Sequence, residues 1–524
     1  MEMLVSTQAM EQVDAKAQSD YGIPNLVLME QAGSKGWHAF SSYAVERNIS
    51  MRNMVFVAGG GNNGGDALVM AREAFFSGYE HFTILLVGSH ISHACSVHRT
   101  ICAKLGFTMI EAENMEGMIA PEAAQLLAEA DVIVDGIAGT GLRGLLGGTV
   151  AEIVKMINAR QDQGACVLAV DIPSGCSDTM SIAGTRIIAN VTVTMGLQKA
   201  AAYHPVCRMG WGTILRVNPS FPPALLKNSV AVATLSDHRD LHIHRFGEDV
   251  YKNKRGHLAL FAGSSRFTGA ARLAARGAFH SRCGLVTLCC DQEVASVAAA
   301  ETPSIIVQAL QHHDVINGTV LAKEYQAIAA GPGWGDTHQD QVLELCASGL
   351  PLVLDADAVK LFAQVVADHR LQSTAHGPLV LTPHPGELHT LLETLHMPLL
   401  AQETGPSGSP ESFIDSLKRA AVALEAVIVY KSHVIWIVDG RNGGAIPIVV
   451  DGMNNALGVA GSGDVLTGII GSLLAQGYDA LQAAHLGVLI HQQSGAEARE
   501  ADGWFDAETL IGHVGTVCRR AEES

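Results

Sequence analysis

Apolar positions in this chain follow two periods. Short apolar runs at Met54–Val57, Thr83–Val87, Val132–Val134, Val167–Val170 and Val191–Thr194 are separated by helix-length segments. That is the signature of a mostly parallel sheet covered on both faces. Ahead of them, two amphipathic stretches around Met10–Gln18 and Leu26–Phe40, broken at Gly22-Ile23-Pro24, read as helices. The second half repeats the scheme with strands at Leu258–Ala262, Ile328–Ala330, Leu352–Leu354, Leu379–Leu381 and Val427–Val429. Its most organised stretch is Gly458–Ala475, where Val465, Leu466, Ile469, Ile470, Leu473 and Leu474 recur with the period of a buried helix behind the turn Gly461-Ser462-Gly463-Asp464. A glycine turn at a helix N-terminus suits a phosphate oxygen. An acid beside that anion points to a metal or a proton in transit, although an Asp that simply caps the helix is the plainer alternative.

At 524 residues the chain is too long for one core, so two α/β domains are expected. Between Asn218 and Gly256, prolines 219, 222 and 223 precede a polar, histidine-containing stretch. This divides the chain into 1–225, a linker at 226–250, and 251–520. His238, His242 and His244 then read as solvated linker residues, not a metal site. Hydrophobic residues at 48% exclude a mostly disordered chain, and a net charge of −18 argues against nucleic-acid binding. Ten scattered cysteines without a CxxC pair suggest reduced thiols and a cytoplasmic protein. No basic segment leads into an apolar run near the N-terminus, and the Val465–Ala475 run is too short to span a bilayer, so neither secretion nor membrane insertion is expected.

In parallel sheets, ligands bind beyond the carboxyl ends of strands. Three strand ends in the first half are polar: Gly59-Gly60-Gly61-Asn62-Asn63-Gly64-Gly65-Asp66, then Asp135-Gly136-Ile137-Ala138-Gly139-Thr140-Gly141, then Asp171-Ile172-Pro173-Ser174-Gly175. Glycines 59, 61 and 64 satisfy G-x-G-x-x-G, yet the following strand ends in Gly88-Ser89-His90, without the acid that would hold a ribose hydroxyl. A redox dinucleotide site is therefore disfavoured. Asn63, Asp135 and Ser174 are hard oxygen donors suited to an alkali or alkaline-earth cation, which leaves Asp66 and Asp171 for substrate hydroxyls or acid/base work. In the second half, acids at Asp355, Asp357, Glu387 and Asp464 are candidates for magnesium or proton transfer. Lys431 alone reads as a surface lysine, and His384 between two prolines as a rigidly presented or self-satisfied turn residue.

GGGNNGGDA, VDGIAGTG and DIPSG, in this order, resemble the epimerase module of the NAD(P)H-hydrate repair enzymes. SRFTGAA, GPGWG, DADA, TPHPGE and GSGDVLTG resemble the dehydratase module of the same family, over roughly residues 250–515. The resemblance implies an N-terminal Rossmann-like three-layer α/β sandwich and a C-terminal ribokinase-like α/β domain. It implies epimerisation of the R and S forms of hydrated NADH and NADPH, then ADP-dependent dehydration of the S form to the reduced cofactor.

Carried over by motif, the epimerase substrate contacts are Asn62, Asn63, Gly64, Gly65, Asp66, Gly139, Thr140, Gly141, Leu142, Arg143, Gly144, Leu145 and Asp171. Potassium would sit on Asn63, Asp135 and Ser174. In the dehydratase module the substrate contacts are Ala270, Gly333, His384 and Asp464, and the ADP contacts are Lys431, Ser432, His433, Val434, Ile435, Gly461, Ser462 and Gly463, with Mg²⁺ as companion ion. Asp171 and Asp464 are the expected catalytic groups. Three departures stand out: Ala67 replaces a glycine, Gly136 with Ala138 replaces bulkier residues, and KSHVI stands where the family has Lys-Gly and then a threonine. A homo-oligomer is expected. The remaining alternatives are a ribokinase-like small-metabolite kinase with a nicotinamide-nucleotide-binding accessory domain, and a first half that senses the nucleotide without turning it over.

Overall fold

The computed structural model describes residues 1–142, 144–310, 325–405, 408–441 and 445–523. Two compact units emerge, one comprising residues 3–233 and 406–412, the other 1–2, 234–405 and 413–524.

The first unit is built on a 7-stranded sheet in the order Met109–Glu111, Phe82–Val87, Met54–Gly59, Val132–Gly136, Cys166–Val170, Val191–Met195, Thr213–Val217. Every neighbouring pair is parallel. Side chains alternate across a strand, and the two faces sort accordingly. Met54, Phe56 and Ala58 pack with Trp37, Phe40, Leu68 and Met70 from the helices Asn25–Glu46 and Asn62–Phe76. Val55 and Val57 pack on the other face with Leu127, Ile153 and Ile157 from helices Pro121–Glu129 and Gly148–Asp162. The sheet is thus the middle of three layers. From Met54–Gly59 the chain winds outward to Phe82–Val87, then returns to Val132–Gly136 on the other side, and this reversal opens a crevice at the strands' carboxyl ends.

In the second unit the strand order is Ile306–Leu310, Leu285–Asp291, His257–Phe261, Ala327–Ala330, Leu352–Leu354, Leu379–Leu381, Val427–Tyr430, Val434–Asp439, Ile448–Asp451 and Ala231–Ser236. The first seven run parallel, and the turn at Lys431–His433 introduces two antiparallel pairings. Helix Ser462–Ala475 is buried from Val465 to Ala475 and crosses helix Thr268–His280 at backbone contact: a Cβ on Gly468 would lie 2.0 Å from the Ala274 carbonyl oxygen.

Residues 226–250, read from sequence as a solvated linker, carry more structure than that reading. Ala231–Ser236 pairs in parallel with Ile448–Asp451, and Leu241 and Ile243 enter the hydrophobic core of the second unit. His244 stacks between Phe246 and Tyr478.

Candidate functional site

The crevice of the first unit contains a cavity of about 170 Å³ lined by Asn62, Asn63, Asp66, Thr140 and Asp171, joined by Glu11 and Asp14 from helix Thr7–Ser19 and by Lys199. Asn62–Asp66 form the first turn of helix Asn62–Phe76. The glycines there are required by close approach, since a Cβ on Gly64 would lie 1.7 Å from the Gly59 carbonyl oxygen. Asp171 sits at φ +64, a left-handed conformation that costs about 1 kcal/mol or more outside glycine. Its N–H donates to the Val193 carbonyl at 2.8 Å. Its Oδ1 accepts from the Met195 N–H at 2.9 Å, from the Lys199 ammonium, and at 3.4 Å from the Thr194 hydroxyl.

Lys199, fully buried, was not legible as a site residue. A signal existed: it is the only Lys, Arg, Asp or Glu between Arg186 and Arg208. The pocket therefore holds three aspartates around one ammonium. Burial pushes Asp66 well above the usual carboxylate range, and the charges of Asp171 and Asp14 push it further. Asp14 is also raised, by burial first and against the hydrogen bond from Gln18.

The three proposed cation ligands meet around the turn 136–139. The Asn63 amide donates to the Val170 carbonyl at 2.6 Å, and its Oδ1 lies 2.1 Å from where a Cβ on Gly139 would stand, so only glycine fits there. Asp135, wholly buried, accepts from the Ser174 hydroxyl at 2.6 Å and the Ser174 N–H at 2.8 Å. Burial raises its pKa to about 6 against those hydrogen bonds. Among the described residues no lysine or arginine pairs with Asp135. A buried carboxylate among neutral oxygen donors fits a monovalent cation. Of the loop 139–145, Thr140 lines the cavity. Leu145 is 60% exposed and packs beside Gly184, and Arg143 lies outside the described residues. Gly141, Leu142, Gly144 and Gly65 are not among the lining residues.

In the second unit, Gly461 adopts φ +90 and caps helix Ser462–Ala475, where a Cβ would meet Leu273 at 2.4 Å. Asp464 is in the first helical turn and is not the N-cap. Ser462 N–H donates to the Val459 carbonyl at 3.3 Å, so the N–H groups left without acceptors among the described residues are those of Gly463 and Asp464. Burial raises the Asp464 pKa to about 7, with Asp355 and Asp357 adding repulsion and Lys431 opposing it.

Lys431 is not a surface lysine. Its ammonium is only 20% exposed, pairs with the buried Asp355, and lies 3.7 Å from a Cβ position on Gly463. Asp355 in turn accepts from Thr382 at 2.9 Å and Thr467 at 2.6 Å. It anchors the lysine, with both carboxylate oxygens engaged. Asp357 accepts from the Gly335 N–H at 2.8 Å, which fixes the GPGWG loop, and a Cβ on Gly333 would lie 3.0 Å from that of Ala270. His384 caps helix Pro385–Thr394: its Nδ1 accepts from the N–H groups of Gly386 and Glu387, while Glu387 accepts from the His384 N–H at 2.9 Å. The ring is half-exposed, and its Nε2 lies 3.3 Å from Glu387 Oε1, so both ring nitrogens face partners within the same helix turn.

Beside that turn lies a cavity of about 290 Å³ lined by Lys431, Ser432, His433, Ile435, Ser462 and Gly463. Val434, fully buried in its strand, and Gly461 do not line it. Asn454, Asn455, Leu457, His491 and Gln492 extend the wall, and sequence motifs did not indicate them because they come from a separate turn and another helix, whereas Leu466, which also lines it, belongs to GSGDVLTG. The Ser432 hydroxyl, the conspicuous departure in KSHVI, donates to the Val434 carbonyl at 2.5 Å and accepts from the Val434 N–H at 3.2 Å. It closes its own turn.

Residues 25–201 match the family described as YjeF-related protein N-terminus, and residues 258–514 match that described as NAD(P)H-hydrate dehydratase. The bifunctional NAD(P)H-hydrate repair enzyme Nnr of Moorella thermoacetica is 32% identical over 549 residues, covering 99% of this chain and 97% of that protein. Its namesake from Thermofilum pendens is 31% identical over 540 residues, covering 98% and 95%. Among solved structures, an ADP/ATP-dependent NAD(P)H-hydrate dehydratase from Bacillus subtilis, crystallised with ATP/Mg²⁺, is similar over 54% of this chain and 95% of its own length, at 26% identity and a TM-score of 0.45.

Proposed function

This chain belongs to the bifunctional NAD(P)H-hydrate repair enzymes, and on that premise we propose which residues of each unit carry which reaction. The first unit epimerises hydrated NADH and NADPH, and the second dehydrates the S form using an adenosine phosphate.

In the hydrated ring, the carbon to be epimerised bears a hydroxyl and is bonded to the ring nitrogen. Asp171, paired with Lys199, takes the hydroxyl proton as the carbon–nitrogen bond opens to an aldehyde, and the nitrogen receives a proton from Asp66, whose pKa burial raises well above the usual carboxylate range. Rotation and closure with the proton transfers reversed give the other epimer. Asn63, Asp135 and Ser174 would hold a potassium ion, whose charge offsets the buried carboxylate and stiffens the 136–139 turn.

In the second unit the cavity at Lys431–Ile435 receives the adenosine phosphate, with Leu457 and Leu466 as apolar walls and Lys431 directed to its phosphates. Asp464 removes the proton of the ring hydroxyl as the phosphoryl group is transferred, the Gly463 and Asp464 N–H groups meet the developing charge, and departure of phosphate together with a proton from the adjacent ring carbon restores the dihydronicotinamide. Among the described residues no three acidic, His or Cys side chains form a metal cage. A magnesium ion accompanying the nucleotide would be held by carboxylates near the turn, such as Asp357 and Asp464, and would supply charge neutralisation at the phosphates.

The observation that carries this reading is the junction of Lys431, Asp464 and the helix N-terminus at the mouth of the nucleotide cavity. It is tested by converting S-form hydrated NADH with ADP and Mg²⁺: Lys431→Ala should raise the KM for the nucleotide at least about tenfold, since a charge-assisted phosphate contact is lost. An unchanged KM would contradict the placement. A cytoplasmic setting is supported by ten cysteines that are all buried and unpaired. Among the described residues no helix is long and apolar enough to cross a membrane.

A further inference from the structure

The epimerase cavity poses a charge problem that the site motifs do not solve. Asp14, Asp66 and Asp171 line it together with Glu11, and Asp178 lies nearby against the N–H of Thr7. Lys199 is the one ammonium lining it among the described residues. Its three N–H bonds are all committed: to Asp171 Oδ1, to the Thr194 hydroxyl at 2.9 Å, and to the Met195 carbonyl at 2.9 Å. It has no donor left for a substrate.

Asp171 Oδ1 is correspondingly saturated by Lys199, the Met195 N–H and Thr194, and among the described residues no donor reaches Oδ2. The backbone of Asp171 is held in its left-handed conformation by the bond to Val193. Lys199 itself is fixed from behind, because Gln198–Lys199 pairs with Leu4 and Val5 of the N-terminal strand.

We propose that Lys199 is a positioning residue for epimerisation: by occupying Oδ1 of Asp171, and of no other aspartate lining the cavity, it selects Asp171 as the base and aims Oδ2 at the substrate. This deepens the epimerase reading and rests on it. The N-terminal segment then contributes to the site through the strand Glu2–Val5 behind Lys199 and through Asp14 in front of it.

The test uses the full-length protein, R-form hydrated NADH without nucleotide, and chromatographic separation of the epimers. Lys199→Met should lower kcat about 100-fold with KM changed less than about threefold. Lys199→Arg should recover part of that loss, since a cation is retained. Because Lys199→Met leaves a buried carboxylate unpaired and costs folding stability, the decisive comparison is Asp171→Asn against Asp171→Asn/Lys199→Met, since the double variant removes both members of the pair and orphans neither charge. The two should epimerise at the same rate within about twofold, as expected of residues that act as a unit. A double variant slower by a further tenfold, or a Lys199→Met protein with wild-type kcat, overturns the inference while leaving the epimerase reading intact. Wild-type protein that fails to equilibrate the epimers overturns both.

Discussion

Asp464 shows how one residue's surroundings set both its chemistry and its cost. Burial and the nearby Asp355 and Asp357 raise its pKa to about 7. A base must be deprotonated to act, so kcat/KM for dehydration should fall as pH drops below about 7, an acid limb higher than an ordinary carboxylate gives. The same shift has a stability consequence. The folded state binds this proton more tightly than the unfolded chain does. The group's contribution is therefore fully present below pH ~4 and is lost as pH rises towards 7. Asp464→Asn should consequently stabilise the second unit at pH 8, by about 1–2 kcal/mol after allowance for partial exposure, read as a higher melting temperature. A variant less stable than wild type at pH 8 would contradict the assignment of strain to this carboxylate. Asp135 is perturbed in the same direction for a different purpose. Asp135→Asn should make epimerisation insensitive to replacing K⁺ by tetramethylammonium, whereas the wild-type rate should fall under that exchange.

At the scale of elements, glycines set how closely helices approach each other and the sheet. Gly468 brings helix Ser462–Ala475 onto the backbone of helix Thr268–His280. Gly468→Ala must separate them, and overpacking of this kind costs typically about 1–3 kcal/mol. The variant should lose thermal stability and dehydration together, while epimerisation persists; unchanged dehydration would show that the crossing does not hold Asp464 in place.

Elements whose side chains face one core were legible in the chain. The central strands Met54–Gly59, Cys166–Val170 and Leu352–Leu354 are uninterrupted apolar runs. Edge strands were not: Thr213–Val217 is largely exposed or half-buried, and Met109–Glu111 is three residues long, so neither is distinguishable from a loop by periodicity. Val434–Asp439 and Ile448–Asp451 were hidden for another reason. Their pairing is antiparallel and depends on a turn whose geometry comes from the Ser432 hydroxyl. Within the sites, residues carried by contiguous motifs, such as Asn63, Asp135, Ser174 and Asp464, could be named from the sequence. Lys199, Asp14, His491 and Asn454 could not, because each reaches its site through tertiary packing, and a lysine or histidine in an apolar stretch reads first as a core residue.

On the scale of the whole chain, each unit contains a complete set of groups for one reaction. On the proposed assignment, the first holds Asp171 as base, Asp66 as acid and Asn63, Asp135 and Ser174 as cation ligands; the second holds the glycine turn, Lys431 and Asp464. Activities built this way should be separable by single substitutions. The central claim, two activities on one chain with divided sites, is tested most directly by giving purified protein the R,S mixture of hydrated NADH with ADP and Mg²⁺ and following the dihydronicotinamide absorbance alongside Asp464→Asn and Asp171→Asn. Wild type should convert both epimers. Asp464→Asn should equilibrate R with S while forming NADH at least about 100-fold more slowly, and Asp171→Asn should convert the S form and leave the R form to its spontaneous rate. If Asp464→Asn also stopped epimerisation, or if Asp171→Asn consumed both forms at the wild-type rate, the division of sites would be wrong.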